Sequence, residues 1–134
     1  MTKKYDLHCH STASDGVLSP TELVHRAYAQ GVNVLALCDH DTIAGIDEAE
    51  IAAKEVGIEL ITGVEISTNW EGRGIHIVGL NFDKTHPKMT ALLQSQKALR
   101  EKRAVEIGDK LEKAGIPNAY DGAKALADGE VTRA

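Results

Sequence analysis

Residues Val32 to Cys38 form an apolar, partly β-branched run without alternation, and Asp39-His40-Asp41 follow it directly. A strand that is apolar on both faces fits a parallel sheet covered on both sides. In parallel α/β sheets, ligands gather beyond the carboxyl ends of the strands. Three ionisable residues beside such a run are costly unless they are paired, hydrogen-bonded or bound to metal. This one segment therefore asks for an α/β fold with a functional edge.

The flanking chain supplies matching elements. Tyr5 to His10 reads as a short strand and Ser11 to Gly16 as a polar turn. Ser19-Pro20-Thr21-Glu22 opens a helix, with Ser19 as cap, Pro20 at the first helical position and Glu22 completing a capping box. Leu23, Val24, Ala27 and Tyr28 recur at helical spacing, and Gly31 stops the segment. Ile43 to Val56 reads as a second helix ended by Gly57, Ile58 to Ile66 as another buried strand, and Ile75 to Phe82 as a fourth. The segment 69–74 is short enough for a hairpin turn. Past 83–88 the character changes. Met89 to Ala114 is one long charged helical pattern ended by Gly115 and Pro117, and Gly122 to Asp128 is a last short helical stretch.

With 134 residues, one domain is expected. Aromatic residues make up only 4%, so the core must come from Leu, Ile, Val and Ala. A net charge of −5 argues against tight binding of long duplex nucleic acid, which needs a basic footprint. A small anionic substrate remains compatible, because a few metals and arginines reverse the sign locally. Cys9 and Cys38 form no CxxC pair, and neither an apolar leader nor a membrane-length run is present. A cytoplasmic protein with reduced thiols and no membrane partner is expected.

His8-Cys9-His10 places two imidazoles on one side of a strand, with Cys9 pointing away. Alone, the pair fits a solvated strand as well as a metal site. Asp15 lies in the following turn, where a lone Asp before Gly16 is usually a turn former. His40 stands at the end of one buried run, and Asp39 or Asp41 could orient it through its other ring nitrogen. Glu65 closes another buried run, and a simple hairpin register sets it opposite His76. His25 and His86 read as solvated or structural. Four segments thus bring His, Asp or Glu to one sheet edge. Mixed imidazole and carboxylate donors suit manganese first, with iron or zinc as alternatives. The candidate ligands His8, His10, Asp15, His40, Glu65 and His76 exceed the need of one catalytic ion, so two or three divalent ions are expected. Clustered ions can activate water and clamp both oxygens of an in-line phosphoryl displacement.

These residues resemble the PHP (polymerase and histidinol phosphatase) family. The string His8-Cys9-His10-Ser11-Thr12-Ala13-Ser14-Asp15-Gly16 is similar to its first motif, and Asp39-His40-Asp41 to its second. Gly63-Val64-Glu65-Ile66-Ser67 and His76-Ile77-Val78-Gly79-Leu80 resemble the next two. The helical part, through Val131-Thr132-Arg133, resembles the insertion of the TrpH/YciV-like bacterial branch. The resemblance implies an α/β fold: residues 1–84 as the N-terminal portion of a distorted (β/α)7 PHP barrel, and 85–134 as a truncated helical insertion. It implies a trinuclear metal site with the six residues above as ligands, Glu65 bridging, and Arg100, Arg103 and Arg133 gripping substrate phosphates. Charged helix faces being common, Arg100 and Arg103 could equally be solvated. The implied activity is metal-dependent phosphoesterase action on small nucleotides of the nucleoside 3′,5′-bisphosphate kind, or 5′-to-3′ trimming of short RNA. The family's later ligands, a histidine in an Ala-His-Pro-like segment and an Asp-x-His, have no counterpart in these 134 residues, so the chain reads as a fragment. A metal-dependent amidohydrolase and a noncatalytic metal-binding piece are the competing expectations.

Overall fold

A computed structural model of the chain describes residues 2–127 and 131. Four strands and four helices follow in the order β1 (Tyr5–Cys9), α1 (Pro20–Ala29), β2 (Val34–Leu37), α2 (Ile46–Val56), β3 (Glu59–Trp70), β4 (Arg73–Leu80), α3 (Pro87–Lys113) and α4 (Ala119–Leu126). They form one four-stranded sheet in the order β1-β2-β3-β4. The β1–β2 and β2–β3 pairs are parallel, and β3–β4 is an antiparallel hairpin. All four residues of β2 are buried, as its unbroken apolar run requires.

The helices start and stop where local chemistry directs. Ser19 Oγ accepts from the Glu22 amide at 3.1 Å and caps α1. Gly57 takes a left-handed φ of 83° and closes α2. The spacing predicts α2 from Ile43, yet it begins at Ile46. Thr42 Oγ1 accepts from the Ala44 amide at 3.1 Å and holds a turn there instead. The helices α1 and α2 bury Val24, Ala27, Ile46, Ala49, Ala52 and Ala53 against Leu35 and Leu37 of β2. This small aliphatic core needs no aromatic residue.

The hairpin runs further than the apolar pattern predicts. Pairing continues to Trp70–Arg73, and the turn is only Glu71-Gly72, with φ of 48° and 76°. Two successive positive φ values match the twist of antiparallel strands. The fourth strand is also less covered than expected: Ile75, Ile77, Val78 and Leu80 are all exposed. The reason is its place at the edge of the sheet, with β3 as its one strand partner among the described residues. Lys84, past β4, is anchored to α2 through Asp47 at 2.6 Å and Glu50 at 2.9 Å.

Helix α3 buries one residue, Leu93, among those described. Polar contacts join it to the sheet instead: Gln96 Nε2 donates to Ser67 O at 2.6 Å and to Asp41 Oδ1 at 3.0 Å. Helix α4 lies close on α3, where Gly108 leaves room for Tyr120; a Cβ on Gly108 would stand 2.8 Å from Tyr120 Cβ.

Candidate metal centre

The carboxyl ends of β1 and β2 and the middle of the β3–β4 hairpin meet at one place. Backbone bonds set the alignment there. The Asp41 amide donates to Glu65 O at 3.0 Å, and the Glu65 amide donates to Asp39 O at 3.1 Å. They form an isolated parallel bridge between His40 and Glu65. His40 therefore sits beside Glu65 because the two strands stay in register three residues past the end of β2.

Glu65 is the hub. It is 5% exposed. Its Oε1 is hydrogen-bonded to His8 Nε2, and its Oε2 lies 3.0 Å from His40 Nδ1 and 2.7 Å from His76 Nδ1. Burial acts to raise the Glu65 pKa, but the charge of His40 and the hydrogen bonds to His8 and His76 outweigh it, and the carboxyl is held below its ordinary value. The expected register, with His76 opposite Glu65, is corrected by the structure. His76 pairs with Ser67, and Glu65 pairs with Val78. The turn is centred on Glu71-Gly72, which moves the pairing two positions from that register. His76 and Glu65 still share a face, as diagonal neighbours do.

His10 extends the cluster. Its Nε2 lies 3.2 Å from His8 Nε2 and 3.6 Å from Glu65 Oε1. Its ring stacks on that of His40 with centroids 4.6 Å apart. Asp15 reaches it from the 11–16 loop, with Oδ1 3.8 Å from His10 Nδ1 and Oδ2 3.3 Å from His40 Nε2. Burial, then the neighbouring His40, lowers the His10 pKa, which keeps the ring neutral and able to donate a lone pair. Cys9 faces the other way. Its thiol meets Ala36 O at 3.2 Å, and burial pushes its pKa up to about 12.

The six residues form three overlapping groups: His8, His10 and Glu65; His10, Asp15 and His40; His40, Glu65 and His76. Within each group the donor atoms lie within 4.8 Å of one another, the spacing at which three side chains can share an ion. The donor set suits divalent transition metals. One atom tests the fit further. His10 Nδ1 is buried with no hydrogen-bond partner, a costly state that a bound cation would relieve.

The remaining candidates take other positions. Neither Asp39 nor Asp41 is spent on orienting His40, contrary to expectation, since the His40 nitrogens face Asp15 and Glu65. Asp39 accepts from Ser11 N, Ser11 Oγ and Ser14 Oγ, each at 2.7 Å. Asp41, at a φ of 54°, accepts from Ser67 N at 2.8 Å, from Gln96, and from Arg100 Nη1 at 3.3 Å. Arg100 is thus drawn to Asp41, while its Nε is buried without a hydrogen-bond partner. Arg103 lines a groove of about 680 Å³ together with Arg100, Asn69, Gln96 and Ser67. Arg133 lies outside the described residues. His25 is exposed on α1, and His86 caps α3 by accepting from the Lys88 amide at 3.1 Å. Gln96, Ser11 and Ser14 were not singled out by the sequence. The serines stand inside the first motif string, whereas nothing local marks Gln96.

The PHP domain model matches residues 6–122. The chain belongs to the PHP domain family. Its curled four-stranded sheet with four helices is consistent with the N-terminal part of a PHP barrel. It is 54% identical over 132 residues to the 5′-3′ exoribonuclease Rnm of Escherichia coli strain K12, covering 96% of this chain and 45% of that protein. It is 46% identical over 123 residues to the 3′,5′-nucleoside bisphosphate phosphatase of Chromobacterium violaceum, covering 92% and 43%. A solved structure described as an amidohydrolase from Chromobacterium violaceum, with bound sulfate and no metal, superposes with a TM-score of 0.90 at 43% identity, covering 97% and 46%. The PHP-domain chain thus spans less than half the length of the curated relatives it matches. Among its described residues, no helix is long and apolar enough to cross a membrane.

Proposed function

We propose that this PHP chain is part of a metal-dependent phosphoesterase that hydrolyses phosphate monoesters of small nucleotides, of the nucleoside 3′,5′-bisphosphate kind, and trims short RNA from its 5′ end. The observation that carries the reading is Glu65, a buried carboxylate met by His8, His40 and His76 and shared by two of the three donor groups. Two or three divalent ions, manganese first, would be held by His8, His10, Asp15, His40, Glu65 and His76. Bound there, they would supply Lewis acidity and a water of lowered pKa.

The chain's own residues have definable parts in this reaction. Glu65, held ionised by the surrounding imidazoles, balances the positive charge of the centre and bridges the two donor groups it joins. His10, whose pKa burial lowers, can offer the lone pair of one ring nitrogen to a cation. Arg100 has one guanidinium nitrogen on Asp41 and lines the groove beside it, where the group would face a phosphate oxygen. The groove it shares with Arg103 begins at Asp41, the neighbour of His40, and suits the part of a nucleotide remote from the scissile phosphate. Arg133 belongs to the same phosphate-gripping set in this reading. The net charge of −5 speaks for short substrates over long duplexes. Two unpaired cysteines fit a reducing, cytoplasmic setting.

The test is phosphate release from adenosine 3′,5′-bisphosphate by this chain with added Mn²⁺, alongside His40→Ala. Turnover that vanishes in the variant supports the reading. Equal turnover in both proteins sinks it. A second reading, amide hydrolysis, is favoured by the description of the superposed Chromobacterium violaceum structure. Cleavage of cyclic amides but not phosphate esters would select it.

A further inference from the structure

We propose that Asp39 is a positioning residue for Asp15, acting through Ser11 and Ser14; this rests on the metal reading above. Asp39 is 1% exposed and Ser11 0%. A carboxylate that deep is costly unless donors surround it. Its donors all come from one place, the loop that carries Asp15: Ser11 N and Ser14 Oγ reach Oδ1, and Ser11 Oγ reaches Oδ2.

The loop has little else to fix it to the sheet. Its backbone bonds stay local and do not reach the sheet: Ser14 N and Gly16 N donate to Ser11 O, and Thr12 N donates to Leu18 O just beyond the loop. The start of α2 presses on the same point. A Cβ on Gly45 would stand 3.2 Å from Ser11 Oγ and 3.3 Å from Asp39 Oδ2. Gly16 is tighter still, since a Cβ there would meet His10 O at 2.4 Å. Ser14 is the residue before Asp15, so its bond to Asp39 determines where the Asp15 carboxylate points. Asp15 must stand over both His10 and His40 to complete the second donor group. Asp39 and His40 are adjacent in the chain, so one segment places a ligand and, through two serines, the carboxylate that shares its ion.

The experiment is a Mn²⁺ titration of the whole chain, followed by the electron paramagnetic resonance signal of free Mn²⁺, with metal-free melting curves in parallel. Ser14→Ala deletes one hydrogen bond and leaves Asp39 and α2 intact. We expect it to weaken Mn²⁺ binding roughly 10-fold, the lower end for losing a partner that orients a ligand, with little change in the metal-free melting temperature. Ser14→Thr should restore binding. On an Asp15→Ala background, Ser14→Ala should add nothing, because both changes remove the same interaction. Wild-type affinity in Ser14→Ala and Asp39→Asn, with weak binding in Asp15→Ala, would overturn this proposal alone. Losses that add independently in the double variant would do the same. If the wild-type chain takes up no Mn²⁺ at all, the metal reading falls and this proposal with it.

Discussion

Glu65 and His76 meet on a diagonal of the hairpin: His76 pairs with Ser67, yet its Nδ1 lies 2.7 Å from Glu65 Oε2. The contact crosses two residues of register and leaves Glu65 Oε1 for His8 on the other side. One carboxylate thereby ties β1, the end of β2, and both strands of the hairpin.

Glu65→Gln keeps the shape and removes the charge. Mn²⁺ affinity is expected to drop by more than the roughly 10–100-fold seen when an orienting partner is lost, because a shared ligand is removed. Equilibrium dialysis measures this. Retention of wild-type affinity would show that the hub is not a ligand.

Asp41 and Arg100 form a pair whose side chains are 0% and 10% exposed. Removing one partner of a buried pair leaves a charge uncompensated. Arg100→Met should cost about 3 kcal/mol, the low end for such a loss, because Ser67 N and Gln96 still reach Asp41. Adding Asp41→Asn should recover part of it. Guanidinium denaturation of the two variants decides; a double variant less stable than the single would contradict the account.

Gly63 passes Cys38 so closely that an added Cβ would stand 2.6 Å from both Cys38 Sγ and Leu37 O. Gly63→Ala is expected to destabilise the chain by about 1–3 kcal/mol through overpacking, and to pull Glu65, two residues on, away from His40. An unchanged melting temperature would refute this.

Burial raises the thiol pKa of Cys9 to about 12 and of Cys38 to about 11, from the ordinary 9.0. The folded chain keeps protons that the unfolded chain releases above pH 9. Their stabilising contribution is therefore full below pH 9 and is lost as pH rises through 11 and 12. Denaturation midpoints should fall across that window, and Cys9→Ala/Cys38→Ala should flatten the fall. At pH 8, alkylation of both thiols should be far slower than that of a free cysteine.

The strands and most helix ends were legible because local chemistry sets them: the unbroken run of β2, the Ser19 cap, the glycines after α1 and α2. His40 and Glu65 were legible for the same reason, each closing a buried run. The register between β3 and β4 was not. It depends on where the turn is centred, at Glu71-Gly72, and Glu71 is an unusual occupant of a positive φ, so nothing in the apolar pattern marked that centre. The tasks of Asp39 and Asp41 were hidden more deeply. Their partners lie 25 to 59 residues away in sequence. Helix α3 meets the sheet through polar side chains, and a charged helix with one buried residue does not announce which side docks.

The spatial order of the strands repeats their order in the chain. Such a sheet can be laid down strand by strand as the polypeptide leaves the ribosome, each new strand pairing with the one just made. The last of the six clustered residues, His76, precedes α3 altogether. At a synthesis rate of about 5–20 residues per second, the cluster has a few seconds of nascent life before α3 and α4 are finished. If the proposed centre takes up ions, capture can begin during translation, with the helical half arriving at a cluster whose donors have already gathered.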